Sequence, residues 1–365
     1  IKNKTVMKKF LRVLSGLFPL AAAILFFSCG SRLAPEKLSV TSKQVLALLP
    51  EKPQFVMYIN FKSMRGTDFW KANVSDSVLS GENAMGSLLN VFRSATGASI
   101  SDGLDEMFFA NSWTGQNAVI LKGSFDKNKM NSYLANDSIF KKTVTADGVT
   151  VYTHLNSNLA FFLKDNFTLC ASNYKEQIDY MKSVTDTSNT GLLSNPEMMK
   201  SIEPIIYKDN FWLVSSEKMF IRGIFANFAD IKAGKDISKE TMSADSSSSE
   251  TRKDSLSRTD DVLMNKLYDR VNSVSLSGKM KTDLSIILQF ECVDRESAVY
   301  VKKLLTGVIG LAKITSSAKK DKKPAAFEKI LNEISVQDDE NSVQLTTKIT
   351  SDNIKDFREG NRLIN

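Results

Sequence analysis

The sequence predicts an α+β fold, with antiparallel sheets packed against helices and two related α+β halves sharing a sheet. Three observations predict it. Short β-branched and aromatic runs bounded by turn residues recur along the chain, as at residues 55–61 and 211–214. Amphipathic runs of helical period lie between them, the longest carrying Ala298, Val301, Leu305, Val308 and Ala312 on one stripe. Features of the first half also return in the second. The stretch from Phe55 to Met64-Arg65-Gly66 parallels that from Trp212 to Ile221-Arg222-Gly223, an offset of 157 residues. The strand, aspartate and helix at residues 118–134 parallel residues 284–305 at an offset of 168, with Asp126 matching Asp294. The offset changes where a Ser-rich stretch is inserted.

Each element has its own local reason. Residues 45–49 make a short apolar turn before Pro50, and residues 55–61 read as a buried strand. Met85, Leu88, Leu89 and Phe92 mark a helix over residues 83–96, stopped by Gly97. Strands follow at 106–113 and 118–125, and Asp126 caps a helix carrying Met130, Tyr133 and Leu134. Four short strands near 140–145, 149–155, 159–163 and 167–171 make an antiparallel meander, with Asp147-Gly148 and Lys164-Asp165-Asn166 as turns. Asn173 and Glu176 have capping-box spacing for a helix over 174–184. Asn195-Pro196 opens another helix, with proline at its first position.

A strand at 211–214 and a helix at 219–231 come next. Residues 232–260 are rich in Ser, Lys and Asp, without apolar periodicity, and read as a disordered loop. A short helix near 262–268, strands at 274–280 and 284–292, and a long helix capped by Asp294 follow. The basic loop Lys319-Lys320-Asp321-Lys322-Lys323 leads to a helix at 327–334. Val343, Leu345, Thr347 and Ile349 then alternate as a half-exposed strand.

The N-terminus carries a different signal. Lys8, Lys9 and Arg12 precede an apolar run at residues 13–27, then Ser28-Cys29-Gly30. A basic start, a short apolar stretch and a small residue at the break form a secretory signal. The run is shorter than the roughly 20 residues that a bilayer span needs. Ser28-Cys29-Gly30 resembles the lipobox of bacterial lipoproteins, and its Phe-Ser-Cys-Gly form is similar to that of Bacteroidota-type bacteria. Phe26 and Phe27 depart from the aliphatic and small residues that the pattern prefers.

The resemblance implies cleavage before Cys29, diacylation of its thiol, and a membrane anchor through that lipid. The segment Gly30-Ser31-Arg32-Leu33 lacks the acidic run of a surface-export signal in such lipoproteins. The periplasmic face of the outer membrane is therefore the expected location. The order of elements also resembles envelope lipoproteins built from two such halves, which implies no established activity. The chain accordingly divides into a signal peptide (1–28), a polar tether (29–43), a first half (44–231, with the second starting from about 205), the loop (232–260) and the rest of the second half (261–365).

Processing alters the charge. Loss of Lys2, Lys4, Lys8, Lys9 and Arg12 takes the formal net charge from +7 to +2, which removes the basic excess expected of a nucleic-acid binder. Cys170 and Cys292 sit in apolar strands, away from any Cys-dense context, and read as buried free thiols rather than a disulfide.

Patterned chemistry is sparse. His154 is the single histidine, which excludes multi-histidine metal sites and the HExxH pattern, and it reads as a structural or exposed strand residue. Ser172-x-x-Lys175 and Ser215-x-x-Lys218 match SxxK, without the accompanying Ser-Asp-Asn and Lys-Thr-Gly elements. Asp260-Asp261 and Asp338-Asp339-Glu340 read as solvated turn charge, and no EF-hand spacing surrounds the latter. The Lys319–323 cluster reads as a solubilising loop ahead of a site for anionic headgroups.

Asp76-Ser77-Val78, Asp137-Ser138-Ile139 and Asp254-Ser255-Leu256 match a pattern resembling Bacteroidota O-glycosylation sites, of which Ser255, in the Ser-rich loop, is the candidate acceptor. No catalytic residue, metal or cofactor is expected. The expected role is a non-enzymatic envelope protein, lipid-anchored through Cys29, that binds or scaffolds a protein or lipid partner and not nucleic acid. The alternative is a carrier of lipid or apolar ligands, for which 22 Phe and 13 Met could line a cavity. An envelope hydrolase ranks below both.

Overall fold

The computed structural model describes residues 38–74, 93–112, 115–185, 190–205, 209–232, 269–317 and 326–362. The strands are β1 Phe55–Asn60, β2 Leu104–Asn111, β3 Asn117–Gly123, β4 Phe140–Val144, β5 Thr150–His154, β6 Leu159–Asp165, β7 Thr168–Ser172, β8 Phe211–Ser215, β9 Val271–Met280, β10 Leu284–Cys292, β11 Ser335–Asp339 and β12 Ser342–Ile349. The helices are α1 Val40–Leu48, α2 Phe61–Arg65, α3 Asp68–Asn73, α4 Lys127–Asn136, α5 Lys175–Ser183, α6 Pro196–Ile202, α7 Lys218–Lys232, α8 Arg295–Ser317, α9 Ala326–Glu333 and α10 Ser351–Arg362. The fold is α+β, as the sequence predicts.

All twelve strands belong to one sheet, ordered β11-β12-β10-β9-β8-β1-β2-β3-β7-β6-β5-β4. Neighbouring strands in it are all antiparallel, as in the central pair β1–β8. The order has an internal symmetry. Outward from the centre, β1-β2-β3-β7-β6 is matched by β8-β9-β10-β12-β11. A helix follows the third strand of each series (α4 and α8), and another follows the strand beside it (α5 and α10). The β4–β5 hairpin extends the first series alone. The second series begins at Phe211, a little beyond the expected boundary near 205.

The seam between the series is β1 against β8, with Val56 opposite Val214 and Tyr58 opposite Trp212. Both strands carry apolar side chains on both faces, as strands buried on both sides do. On one face, Val56, Tyr58, Ile120, Trp212 and Val214 are buried. Helix α6 packs on β8 and β9 on that side, and α1 packs on the 3-10 turn Gly191–Ser194. On the other face, Met130 and Leu134 of α4 join Tyr152, Leu169 and Ala171. Ile221 and Phe225 of α7 and Val301 and Leu305 of α8 join Val274, Phe290 and Val343.

The expected caps hold in three cases. Asp126 Oδ1 accepts from Asn128 N and Lys129 N at 3.0 and 2.9 Å, Asn195 Oδ1 from Met198 N at 3.1 Å, and Asp294 Oδ1 from Ser297 N at 2.7 Å. The Asn173 capping box does not form. Helix α5 starts after Tyr174 without a side-chain cap, because Asn173 is used elsewhere. Its Oδ1 accepts from Asn117 N at 2.7 Å and its Nδ2 donates to Gly115 O at 2.8 Å, tying the end of β7 to the β2–β3 turn.

The apolar turn expected at 45–49 is the end of helix α1, which starts at Val40 behind its Ser39 cap. The folded body therefore begins before the expected end of the tether at residue 43. Helices α2, α3 and α10 and strand β11 are additions to the expected elements. The strand Ser335–Asp339 includes two residues expected in a turn. As an edge strand it pairs with β12 alone and needs little apolar patterning. Cys29, most of the helix expected at 83–96, the Ser-rich loop with Ser255, the short helix at 262–268 and the Lys319–323 loop lie outside the described residues.

Candidate functional site

Several residues singled out by pattern are committed to structure. Ser172 Oγ donates to Asn117 O at 2.6 Å and accepts from Tyr174 N at 3.0 Å. Ser215 Oγ donates to Gln54 O at 2.7 Å and accepts from Glu217 N at 3.1 Å. Both SxxK serines thus stitch a strand end to its neighbour, and Lys218 Nζ donates to Val271 O at 2.6 Å. His154 Nδ1 lies 2.7 Å from Ser157 Oγ, with its ring 5.2 Å from that of Phe140. Asp338 is paired with Lys302 at 2.5 Å and with Arg295 at 2.7 Å. The hydrogen bond from Lys302, and then the two positive charges, hold its carboxyl below the usual carboxylate range. Among the described residues no group of three or more His, Cys, Asp or Glu is arranged to hold a metal ion.

Cys170 and Cys292 are free and buried. They lie on β7 and β10, six strand spacings apart in the sheet, roughly 29 Å at 4.8 Å per strand. A disulfide needs Cα atoms within about 7 Å, so the sheet order forbids one.

The strongest site is a cavity that pattern reading did not single out. It lies between α1 and the sheet beside the seam, lined by Thr41, Ser42, Val45, Tyr58, Asn60, Glu106, Phe108 and Asp209. Its volume is about 140 Å³, room for a few waters or one small ligand.

Strand register brings these groups together. Asn60 stands opposite Glu106, and Tyr58 opposite Phe108, so alternate residues of β1 and β2 share the cavity face. Tyr58 Oη donates to Glu106 Oε1 at 3.0 Å, across the diagonal of that pairing. Asn60 Nδ2 donates to Tyr58 Oη at 3.0 Å, while its Oδ1 caps α2 by accepting from Ser63 N at 2.8 Å. The carboxamide is thereby fixed in orientation. Lys122 stands opposite Glu106 on the β3 side, and lines a separate cavity of about 40 Å³ together with Lys164.

Asp209 enters from the segment before β8, held by its neighbour. Asn210 O accepts from Asn60 N at 2.7 Å, Asn210 N donates to Gly278 O at 2.8 Å, and Asn210 Nδ2 donates to Ser63 Oγ at 2.7 Å. Asp209 Oδ2 is nevertheless buried without a hydrogen-bond partner among the described residues. The same is true of Trp212 Nε1, on a side chain that is 0% exposed and stacked on Tyr58 at 5.5 Å. A buried polar group left unpaired costs about 1–3 kcal/mol, and more when charged. Asp209 belongs to the cavity wall and Trp212 does not, so the acceptor oxygen of Asp209 is the unsatisfied group that a bound ligand could complete.

Sequence reading missed this site because its residues carry no motif. They lie at 41–45, 58–60, 106–108 and 209, and meet through register alone. The one local clue is polar Asn60 ending an otherwise apolar strand.

No family model and no curated protein matches the chain. Among solved structures it is similar to crystal form III of TP0453, with a TM-score of 0.48 and 8% identity over 85% of this chain and 95% of that one. Crystal form IV gives 0.45 and 8% over 84% and 92%, and crystal form I gives 0.43 and 8% over 86% and 95%. Likeness at this level carries no argument about the site. Among the described residues no helix is long and apolar enough to cross a membrane.

Proposed function

We propose that the protein is a lipid-anchored component of the bacterial cell envelope with a non-enzymatic binding role, held at the periplasmic face of the outer membrane through Cys29. The observation that carries the binding role is the cavity under α1, with the unpartnered Asp209 carboxylate oxygen in its wall. The serines and the histidine that a hydrolytic reading would use are occupied in strand and turn contacts. The anchor rests on the sequence around Cys29, in the order of basic residues, short apolar run and small residue at the break.

The anchor is tested by growing cells with radiolabelled fatty acid. Label should appear in the wild-type protein and vanish in Cys29→Ala, and label that persists in the variant refutes acylation there. The carrier reading has one supporting feature. Phe55, Met57, Phe109 and Leu213 share the sheet face opposite the cavity, and all are half-buried rather than sealed. The cavity under α1 is walled mainly by polar groups and does not suit an acyl chain. Native mass spectrometry of the protein from the periplasm separates the readings, with a clean mass expected here and an extractable lipid adduct expected of a carrier.

A further inference from the structure

We infer that the cavity under α1 is a binding site for a primary alkylammonium group, supplied by a free amine or by the end of a lysine side chain. The inference deepens the binding role proposed above and does not depend on acylation of Cys29. Its starting point is the chemistry of the wall. Asp209 presents a buried carboxylate oxygen that nothing among the described residues satisfies. Glu106 contributes a second carboxylate to the same space, already oriented by Tyr58 and Asn60. Thr41 and Ser42 add hydroxyl groups from α1.

A group that donates hydrogen bonds would satisfy the Asp209 oxygen, and two carboxylates in one wall favour a donor that carries positive charge. An ammonium does both, with three donors and no acceptor. The rest of the wall argues for an organic cation over a metal ion. Among the described residues no group of three or more His, Cys, Asp or Glu is arranged to hold a metal ion. Val45, Phe108 and the Tyr58 ring supply apolar surface, which an alkyl stem covers and a hydrated metal does not. Three of the described cations are engaged elsewhere. Lys62 and Arg65 pair with Asp105 at 3.4 and 3.1 Å, and Lys164 donates to the carbonyls of Met181 and Val184. Lys122 stands opposite Glu106 in the β2–β3 register.

The test is calorimetric titration of the full chain, purified in detergent, with ethylammonium chloride, with Nα-acetyl-lysine amide and with calcium chloride in turn. Saturable binding of ethylammonium is expected, weakened about tenfold or more in Asp209→Asn and in Glu106→Gln, as loss of a charged hydrogen bond requires. Saturation by the lysine amide alone assigns the site to protein lysine, and saturation by ethylammonium assigns it to free amines. Thermal stability without ligand provides an independent reading. Asp209→Asn should unfold at the same temperature as wild type or higher, since it removes an unpartnered buried charge, and added amine should raise only the wild type. Saturation by calcium without either amine overturns the inference. So does the absence of any saturation, or amine binding that survives Asp209→Asn unchanged. None of these outcomes touches the fatty-acid labelling result.

Discussion

At the scale of single residues, burial and pairing set what each ionisable group does. Desolvation pushes both Cys170 and Cys292 up to about 12. A thiolate is the reactive form, so neither should be alkylated at neutral pH in the folded protein. Peptide mapping after iodoacetamide should find both unlabelled until denaturant is added, and rapid labelling of the native protein would contradict their burial. Asp338 is 13% exposed and shared between Lys302 and Arg295. Its carboxyl is depressed on folding, so its contribution is present above the ordinary carboxylate range and is lost as pH falls through the depressed value. Asp338→Asn should cost about 1 kcal/mol at pH 7, and the gap to wild type should close below about pH 4. Urea unfolding at several pH values measures it, and a pH-independent gap would mean the ion pairs are inert. Lys348 and Lys329 show the opposite sign. Hydrogen bonds that they donate to Asp283 and Asp356 raise them, so those contributions hold at neutral pH and fade only in strong alkali.

At the scale of elements, the two outer strands differ from the inner ones. Strand β4, with Lys141 and Lys142, and strand β11, with Asp338 and Asp339, end the sheet with charge, which discourages further strand addition. Inside the sheet, Gly278 stands opposite Phe211, whose ring occupies the space where a Cβ would go. Gly278→Val should therefore destabilise the protein by about 1–3 kcal/mol through overpacking, read as a lower denaturation midpoint, whereas an unchanged midpoint would show that the ring swings clear. Three of the expected caps were legible because an Asp or Asn stands directly before its helix. Asn173 obeyed the same local rule, yet its carboxamide went to Asn117 and Gly115 on a neighbouring turn. Capping signals describe what a side chain can do locally, and a tertiary partner with better geometry takes it.

At the scale of the whole molecule, the two series of strands share one sheet across the β1–β8 seam, and the cavity draws on both. Tyr58, Asn60 and Glu106 belong to the first series, and Asp209 leads into the second. Such a sheet has no natural place to divide. Hydrogen exchange should show β1, β2, β8 and β9 opening together in one cooperative transition. Protection lost in β8 and β9 while β1 and β2 stay protected would reveal two independent halves. A chain ending at residue 205 would leave Val56 and Tyr58 on an open apolar edge strand and should aggregate.

Features that depend on neighbours along the chain could be read from the residues. Period-two and period-3.6 patterns placed most strands and helices, turn residues bounded them, and two parallel stretches exposed the doubling. Short elements with few apolar residues, such as α2, α3 and β11, escaped because tertiary pairing supplies what their own sequences lack. Only the fold shows that the shared sheet is joined at β1 and β8, that Cys170 and Cys292 stand too far apart to bond, and that Asp209 and Glu106 line one cavity. Each of these depends on strand order and register, which hydrogen bonds between distant segments fix and which local pattern does not encode.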